Sequence, residues 1–112
     1  MKTNLERGIS HNTHPGEILF EDIILSNKIT LEKTAKLLGI SRSTLSNIVN
    51  CKSAIKPLMA IRIEKVFGGS SKLWIDLQSQ YDLRKAQKEF NNKKIYLDRF
   101  YKGNKFSNSF NR

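Results

Sequence analysis

The residues best suited to chemistry in this sequence lie between positions 41 and 50. On a helix, Leu45 and Ile48 would share the inward side, and the outward side would carry only polar residues without a carboxylate: Arg42, Ser43, Ser46 and Asn47. Arginine can bind the guanine edge with two hydrogen bonds, asparagine can do the same for adenine, and serine allows close approach. This side of the helix is therefore suited to contacting base pairs in the major groove.

The residues that flank this side favour contacts with phosphate. Four of them would lie toward the DNA backbone, where contacts fix the register rather than read the sequence: Ser41, Thr44, Asn50 and Lys52. The first turn of such a helix also presents free N–H groups that attract a phosphate. The alternative is a helical hairpin with a merely solvated polar face. Such a face normally mixes glutamate with lysine, whereas no acidic residue lies between Lys33 and Ile63.

The elements that must position these side chains are two short helices joined by a tight turn. Thr30 and Ser41 are suitable N-cap residues, and Gly39 can adopt the left-handed conformation that ends a helix. Ala35 is a small residue at the place where two steeply crossing helices would touch. Over residues 31–50 this spacing predicts a helix-turn-helix.

Three further helices complete an all-α prediction of five helices. Pro15 can begin a helix that runs to about Ser26, a fourth helix runs from about Pro57 to Phe67, and Ser70 or Ser71 caps a fifth. The apolar positions expected on the fourth helix are Leu58, Ile61, Ile63 and Val66, and those on the fifth are Leu73, Trp74, Leu77 and Tyr81.

The segments on either side of this domain differ from it in composition. Residues 1–13 are polar and aperiodic and are interpreted as a flexible arm, residues 14–91 as the helix-turn-helix domain, and residues 92–112 as a basic, aromatic extension. We expect His11 and His14, which precede the first helix, at the surface.

The overall composition points to an anionic partner and away from several other classes. The 20 lysines and arginines against 10 acidic residues give a net charge of +10. The single cysteine, Cys51, excludes an internal disulfide and a cysteine-based metal cage. We expect no metal, no cofactor and no enzymatic activity, because the sequence shows no set of metal ligands, no second carboxylate pair and no histidine partner for Cys51. The chain has neither a signal-peptide pattern nor an apolar run of membrane-spanning length, and a cytoplasmic location is the default expectation.

Four blocks of the sequence, taken in order, carry a family resemblance. They are HPGEIL at 14–19, the helix-turn-helix segment, SAIKPLMAIRIEKVFG at 53–68, and SSKLWIDLQSQYDL at 70–83. Together they resemble the HigA antitoxins, a branch of the Cro/repressor-type helix-turn-helix proteins. The resemblance covers about residues 13–88, and its specificity comes from the order of the four blocks.

The resemblance implies a Cro/repressor-like five-helix fold, a homodimer, and a palindromic operator in the protein's own promoter. It also implies a HigB-type toxin as partner, which cuts mRNA and is silenced when bound. In such proteins the first residues of the recognition helix touch base edges, which here are Arg42, Ser43, Ser46 and Asn47. Cys51 stands where the family usually has glycine, and a positive φ there would strain a non-glycine residue.

Trp74, Leu77 and Tyr81 share one face of the fifth helix and allow two interpretations. They belong either to the intramolecular core or to a dimer interface, which the resemblance favours.

Two other functions remain open at this point. One is a stand-alone phage-type repressor without a toxin, which the gene adjacent to this one would distinguish. The other is an RNA- or protein-interaction module that uses the basic aromatic extension. Deletion of residues 92–112 tests it, because a DNA-binding domain at 14–91 should largely keep its operator affinity.

Overall fold

The computed structural model describes residues 12–101, which form five helices. Helix α1 (Pro15–Ile18) continues directly into a π-helical segment (Leu19–Leu25). It is followed by α2 (Leu31–Leu38), α3 (Arg42–Val49), α4 (Pro57–Phe67) and α5 (Ser71–Asn92). No strand occurs within the described range, and the all-α, five-helix prediction is confirmed.

Local signals set most of the helix ends where the sequence predicts them. The side-chain hydroxyls of Thr30, Ser41 and Ser70 accept hydrogen bonds from the first-turn N–H groups of Lys33 (3.0 Å), Thr44 (3.1 Å) and Leu73 (3.4 Å). These are N-cap bonds, each of which satisfies an otherwise free donor. Gly39 ends α2 with φ 72° and ψ 33°, the left-handed conformation expected there.

The start of α1 corrects the expectation for His14, which is buried rather than at the surface, with 3% of its area exposed. The imidazole Nδ1 of His14 accepts a hydrogen bond from the backbone N–H of Gly16 at 2.8 Å. The backbone N–H of His14 in turn donates to Glu17 Oε2 at 3.2 Å. The imidazole also meets the Tyr81 ring edge-on, with the centroids 4.7 Å apart. Capping and ring packing together draw the side chain inward. His11 lies outside the described residues.

The π-helical segment is a feature that the sequence analysis did not predict. Its two buried residues, Leu19 and Ile24, are five positions apart. An α-helix would turn them to different faces, whereas π-helical bonds join residues five apart and bring them to the same side. The wider turn therefore lets both side chains enter the core.

The core lies between the helices and draws residues from the π-helical segment, from α2 to α5 and from the loop before α4. Its buried apolar members are Leu19, Ile24, Ala35, Leu38, Leu45, Ile48, Ile55, Met59, Ala60, Ile63 and Trp74. This set corrects the expectation for α4, because Leu58, Ile61 and Val66 are exposed and only Ile63 of the four expected residues is buried. Helix α4 is apolar on several sides, and its contacts with α2 and α5 decide which side is buried.

Helix α5 continues beyond the core. Its 22 residues correspond to about 33 Å of helix, and every residue from Asp82 to Tyr101 is exposed. The described part of the chain accordingly measures 61 × 32 × 24 Å. No helix among residues 12–101 is long and apolar enough to cross a membrane.

Candidate nucleic-acid interface

Helix α3 is oriented as the sequence predicts. Leu45 and Ile48 are buried, with 0% and 3% of their areas exposed, so they hold the helix against the core. On the opposite side Arg42, Ser43 and Asn47 are exposed and Ser46 is half-buried. The four residues predicted to face bases therefore lie on the accessible side of one two-turn helix.

The hydroxyl groups at the beginning of α3 are joined to one another. Ser41 Oγ accepts from the Thr44 N–H and donates to Thr44 Oγ1 at 2.7 Å, and it lies 3.3 Å from Ser43 Oγ. Because Ser41 Oγ supplies the hydrogen to Thr44 Oγ1, the Thr44 hydroxyl keeps its own hydrogen for an outside acceptor. Ser41, Ser43 and Thr44 are all exposed. This end of the helix thus offers hydroxyl and N–H donors, as a phosphate requires.

Among the other predicted contact residues, Ser46 and Asn50 are bonded to each other, whereas Arg42 and Asn47 have no such bond within the described residues. Asn50 Nδ2 donates to Ser46 Oγ at 3.2 Å, one turn away. The side chains of Arg42 and Asn47 make no hydrogen bond or ion pair with any residue in the range 12–101. Their donors and acceptors are therefore available to a ligand without the loss of an internal bond.

The turn before α3 is fixed by an arginine that the sequence analysis did not single out. Arg62 Nη1 donates to the Leu38 carbonyl at 2.9 Å and reaches the Gly39 carbonyl at 3.4 Å. These carbonyls lie at the C-terminal end of α2, where helical partners run out and a cation is favoured by the helix dipole. Arg62 comes from α4, so only the tertiary structure shows this role.

The C-terminal end of α3 rests on the beginning of α1. A Cβ placed on Gly16 would overlap the Ile48 carbonyl group. The two backbones can approach this closely only because position 16 has no side chain. The His-Pro-Gly-Glu sequence contains the signal, a glycine within the first turn of a helix, but its neighbour at position 48 is visible only in the fold.

Cys51 follows α3 in the strained conformation that the sequence analysis raised as a possibility. Its φ is +65°, in the left-handed region. Its Sγ lies 3.7 Å from Glu17 Oε2. Partial burial, followed by the neighbouring Glu17 carboxylate, raises the pKa of the Cys51 thiol to about 11. The thiol is therefore protonated at neutral pH and a poor nucleophile.

The loop after α3 is held by a buried glutamine. Gln78 Oε1 accepts from the Ile55 N–H at 2.8 Å, and Gln78 Nε2 donates to Asp82 Oδ1 at 3.0 Å. Nearer to α3, the N–H groups of Lys52 and Ser53 both donate to the Asn47 carbonyl. Lys52 is exposed, and its contact with phosphate stays a prediction.

The charge around α3 is positive and not neutralised internally. Between positions 28 and 67, seven basic residues are exposed, and none of them forms an ion pair with another residue of the described chain: Lys28, Lys33, Lys36, Arg42, Lys52, Lys56 and Lys65. Cations without internal partners are available to a polyanion at no cost in lost salt bridges.

The three aromatic and apolar residues considered for a dimer interface differ in their placement. Trp74 is part of the core of the single chain, with 6% of its area exposed, which corresponds to the intramolecular interpretation. Tyr81 is half-buried against His14, and its carbonyl accepts from Asn12 Nδ2 at 3.1 Å. Leu77 is half-buried and lines a cleft beside α1. For Leu77 and Tyr81, a role between subunits stays a prediction.

Known proteins share both the sequence pattern and this fold. Residues 21–74 match the helix-turn-helix family model. Virulence-associated protein I of Dichelobacter nodosus is 34% identical over 76 residues, which span 68% of this chain and 70% of that protein.

Two solved structures are similar over most of their length. The Pseudomonas aeruginosa antitoxin HigA, solved with the higBA promoter, superimposes with a TM-score of 0.71 at 31% identity and covers 77% of this chain and 97% of its own. A HigA-family addiction-module antidote protein from Coxiella burnetii has a TM-score of 0.69 at 31% identity, with 78% and 98% covered. The capped turn, the outward polar side of α3 and these similarities agree, and the chain belongs to the helix-turn-helix family of DNA-binding regulators, in its HigA-type antitoxin branch.

Proposed function

We propose that this DNA-binding regulator is a homodimeric repressor that binds a palindromic operator in its own promoter and also neutralises a HigB-type toxin. The observation that carries the DNA-binding part is the outward side of α3, where the side chains of Arg42 and Asn47 have no partners among residues 12–101. Two such helices related by a two-fold axis would enter successive major grooves about 34 Å apart. The proposal includes no catalytic step.

Within this proposal the residues divide into two groups. Arg42 and Asn47 carry most of the base discrimination, and Ser43 and Ser46 allow the close approach that two-bonded contacts need. Phosphate contacts come from the flanking residues Ser41, Thr44, Asn50 and Lys52. Asn50 is already bonded to Ser46, so its phosphate contact requires that bond to be exchanged.

The experiment is a binding series on the operator upstream of the gene, with each base pair of one half-site changed in turn. Arg42→Ala should lose about 1–3 kcal/mol on the native half-site and become insensitive to the base pair that the arginine reads. Lys52→Ala is the matched control, because loss of a phosphate contact should weaken all half-sites alike. A uniform loss for Arg42→Ala would contradict the assignment of base reading to this residue.

The toxin-neutralising part has a separate support and a separate test. The HigA-type similarity supports it, since the solved Pseudomonas aeruginosa relative is an antitoxin that was solved with the higBA promoter. Co-expression with the product of the adjacent gene should yield a co-purifying complex and restore growth that the neighbour alone arrests. A neighbour that neither binds nor arrests growth would leave a stand-alone repressor as the function.

A further inference from the structure

The end of α5 and the residues that follow it, as far as Tyr101, are exposed to solvent. We define the C-terminal arm as residues 93–101, all of which are exposed. Its large apolar side chains expose 42–87% of their area: Ile95, Tyr96, Leu97, Phe100 and Tyr101. Five such side chains in nine residues are unusual for an arm that remains in solvent.

A second surface of complementary character lies at the other end of α5. A cleft of about 510 Å³ is bordered by α1 with its π-helical segment, the end of α4 and the first half of α5. Its apolar lining includes Ile23, Phe67, Leu73 and Leu77, and Leu73 exposes 54% of its area. The cleft is wide enough to receive aromatic side chains and has no occupant among residues 12–101.

The direction of α5 separates the arm from the cleft of its own chain. The cleft is lined by α5 residues from Leu73 to Arg84, and the helix then continues for eight residues, about 12 Å, before the arm begins. The helix thus projects the arm away from the body of the chain, which explains the 61 Å long dimension.

Charge favours contact between the arm and the cleft over contact between two arms. The arm carries Lys93, Lys94 and Arg99 against Asp98, so two arms would repel each other. The cleft is lined by one carboxylate, Asp22, and one guanidinium, Arg84, so it does not repel a basic arm as a second arm would.

We propose that the C-terminal arm of each chain occupies the cleft of a second copy, so that a two-fold dimer is closed by two exchanged arms. This inference rests on the homodimer of the proposed function and names the surfaces that form it. Each aromatic side chain can bury roughly 150–250 Å². Tyr96, Phe100 and Tyr101 of both arms, together with the cleft surface that they cover, would bury a total accessible surface on the order of 1,200–2,000 Å². This is the area that a specific protein–protein interface buries.

Cross-linking between two differently marked proteins tests the exchange. In a Cys51→Gly background, one full-length protein carries Gln80→Cys at the cleft, and a second carries Asp98→Cys or Lys94→Cys in the arm. On mixing and mild oxidation, a cross-linked pair of cleft and arm proteins is expected for at least one arm position. Ser43→Cys replaces the cleft cysteine as the control and should give only background cross-linking. Absence of the pair at both arm positions would overturn the exchange.

A protein that carries both Gln80→Cys and Asp98→Cys separates the two possible destinations of the arm. The exchange predicts a covalent dimer on a non-reducing gel. A monomer with an internal disulfide would instead show that the arm folds back into its own cleft, and the proposal would be wrong.

Sedimentation of the full chain gives the energetic test. Tyr96→Ser with Phe100→Ser should raise the dimer dissociation constant at least tenfold, whereas Gln87→Ala, an exposed change on α5, should leave it unchanged. The double variant should lose operator affinity at low protein concentration because its dimer is weaker, and deletion of residues 92–112 should do the same, in contrast to the expectation from the sequence. Because the arm makes no DNA contact in this proposal, operator binding should recover at higher protein concentration. If the wild type is a dimer and the double variant has the same dissociation constant, the arm exchange alone is overturned. If the wild type is a monomer that still binds the operator, the homodimer is overturned as well.

Discussion

At position 51 a cysteine occupies a backbone conformation that favours glycine, with φ +65°. A left-handed φ costs a residue with a Cβ about 1–2 kcal/mol, which glycine avoids. Glycine also has more conformational freedom in the unfolded chain, and this entropy offsets part of the stabilisation. We expect Cys51→Gly to raise the free energy of unfolding by about 0.5–1 kcal/mol and the melting temperature by a few degrees. Cys51→Ala removes the thiol but keeps the Cβ, so equal stabilisation by alanine would contradict the backbone explanation.

At position 14 a buried imidazole couples stability to pH. Burial lowers the pKa of His14 below its ordinary value, and the nearby Glu17 and Asp82 carboxylates offset only part of this effect. The neutral ring is also required as acceptor for the Gly16 N–H. The folded state therefore binds the proton less readily than the unfolded state, and the stabilisation is complete only above the unfolded pKa of about 6.5.

The resulting prediction is a loss of stability as the pH falls below about 6.5 and through the lower folded pKa of His14. His14→Asn keeps an N-cap acceptor but cannot titrate, so its unfolding free energy should change less between pH 7.5 and pH 5 than that of the wild type. Urea unfolding at several pH values measures both slopes. Equal slopes for the two proteins would show that another group causes the pH dependence.

Single residues show where sequence reasoning works and where it stops. Thr30, Gly39 and Ser41 were predictable because a cap or a left-handed turn depends on a few neighbouring residues. The burial of His14 was not, because it depends on Tyr81, which is 67 positions away in the sequence. Gln78 was missed for a similar reason, since its partner Ile55 lies on a separate loop.

At the scale of elements, the orientation of α3 depends on how its flanking turn is held. Arg62 ties α4 to the end of α2 through the Leu38 carbonyl. A hydrogen bond from a charged donor contributes about 1.5–3 kcal/mol. We expect Arg62→Met to lower the free energy of unfolding by about 1–2 kcal/mol, because the half-buried site is partly hydrated.

Lysine at the same position provides the matched comparison, since it keeps the charge and a donor but not the planar guanidinium. Arg62→Lys should retain part of the stability that Arg62→Met loses, as measured by urea unfolding. If the methionine variant is as stable as the wild type, the bond to Leu38 contributes nothing net.

The helices also differ in how far the sequence determines their packing. The polar and apolar sides of α3 are distinct, and their inward and outward placement followed directly from the spacing of Leu45 and Ile48. Helix α4 has apolar residues on several sides, so periodicity alone favoured Leu58 and Ile61, which are exposed. The π-helical segment could not be read from periodicity at all, since its turn differs from the assumed 3.6 residues.

For the whole molecule, the positive charge makes DNA binding dependent on salt. Each phosphate neutralised by a lysine or arginine contributes about 0.9 to the slope of log affinity against log salt concentration. Lys52→Gln should reduce that slope by about 1, because Lys52 is the lysine proposed to contact phosphate, with equal loss on all operator variants. Lys85→Gln, on the projecting part of α5, is the control. A loss confined to particular base pairs would contradict the phosphate assignment.

The contact between Gly16 and the Ile48 carbonyl has a consequence for how operator preference can diverge. The tilt of α3 is set at its far end by one backbone resting on another, and no adjustable side chain intervenes. The residues proposed to face the bases lie on the opposite, solvent-exposed side and do not take part in that support. With the base contacts proposed above, new DNA specificities would arise by exchange of Arg42, Ser43 or Asn47 while the angle of α3 on the DNA is inherited unchanged.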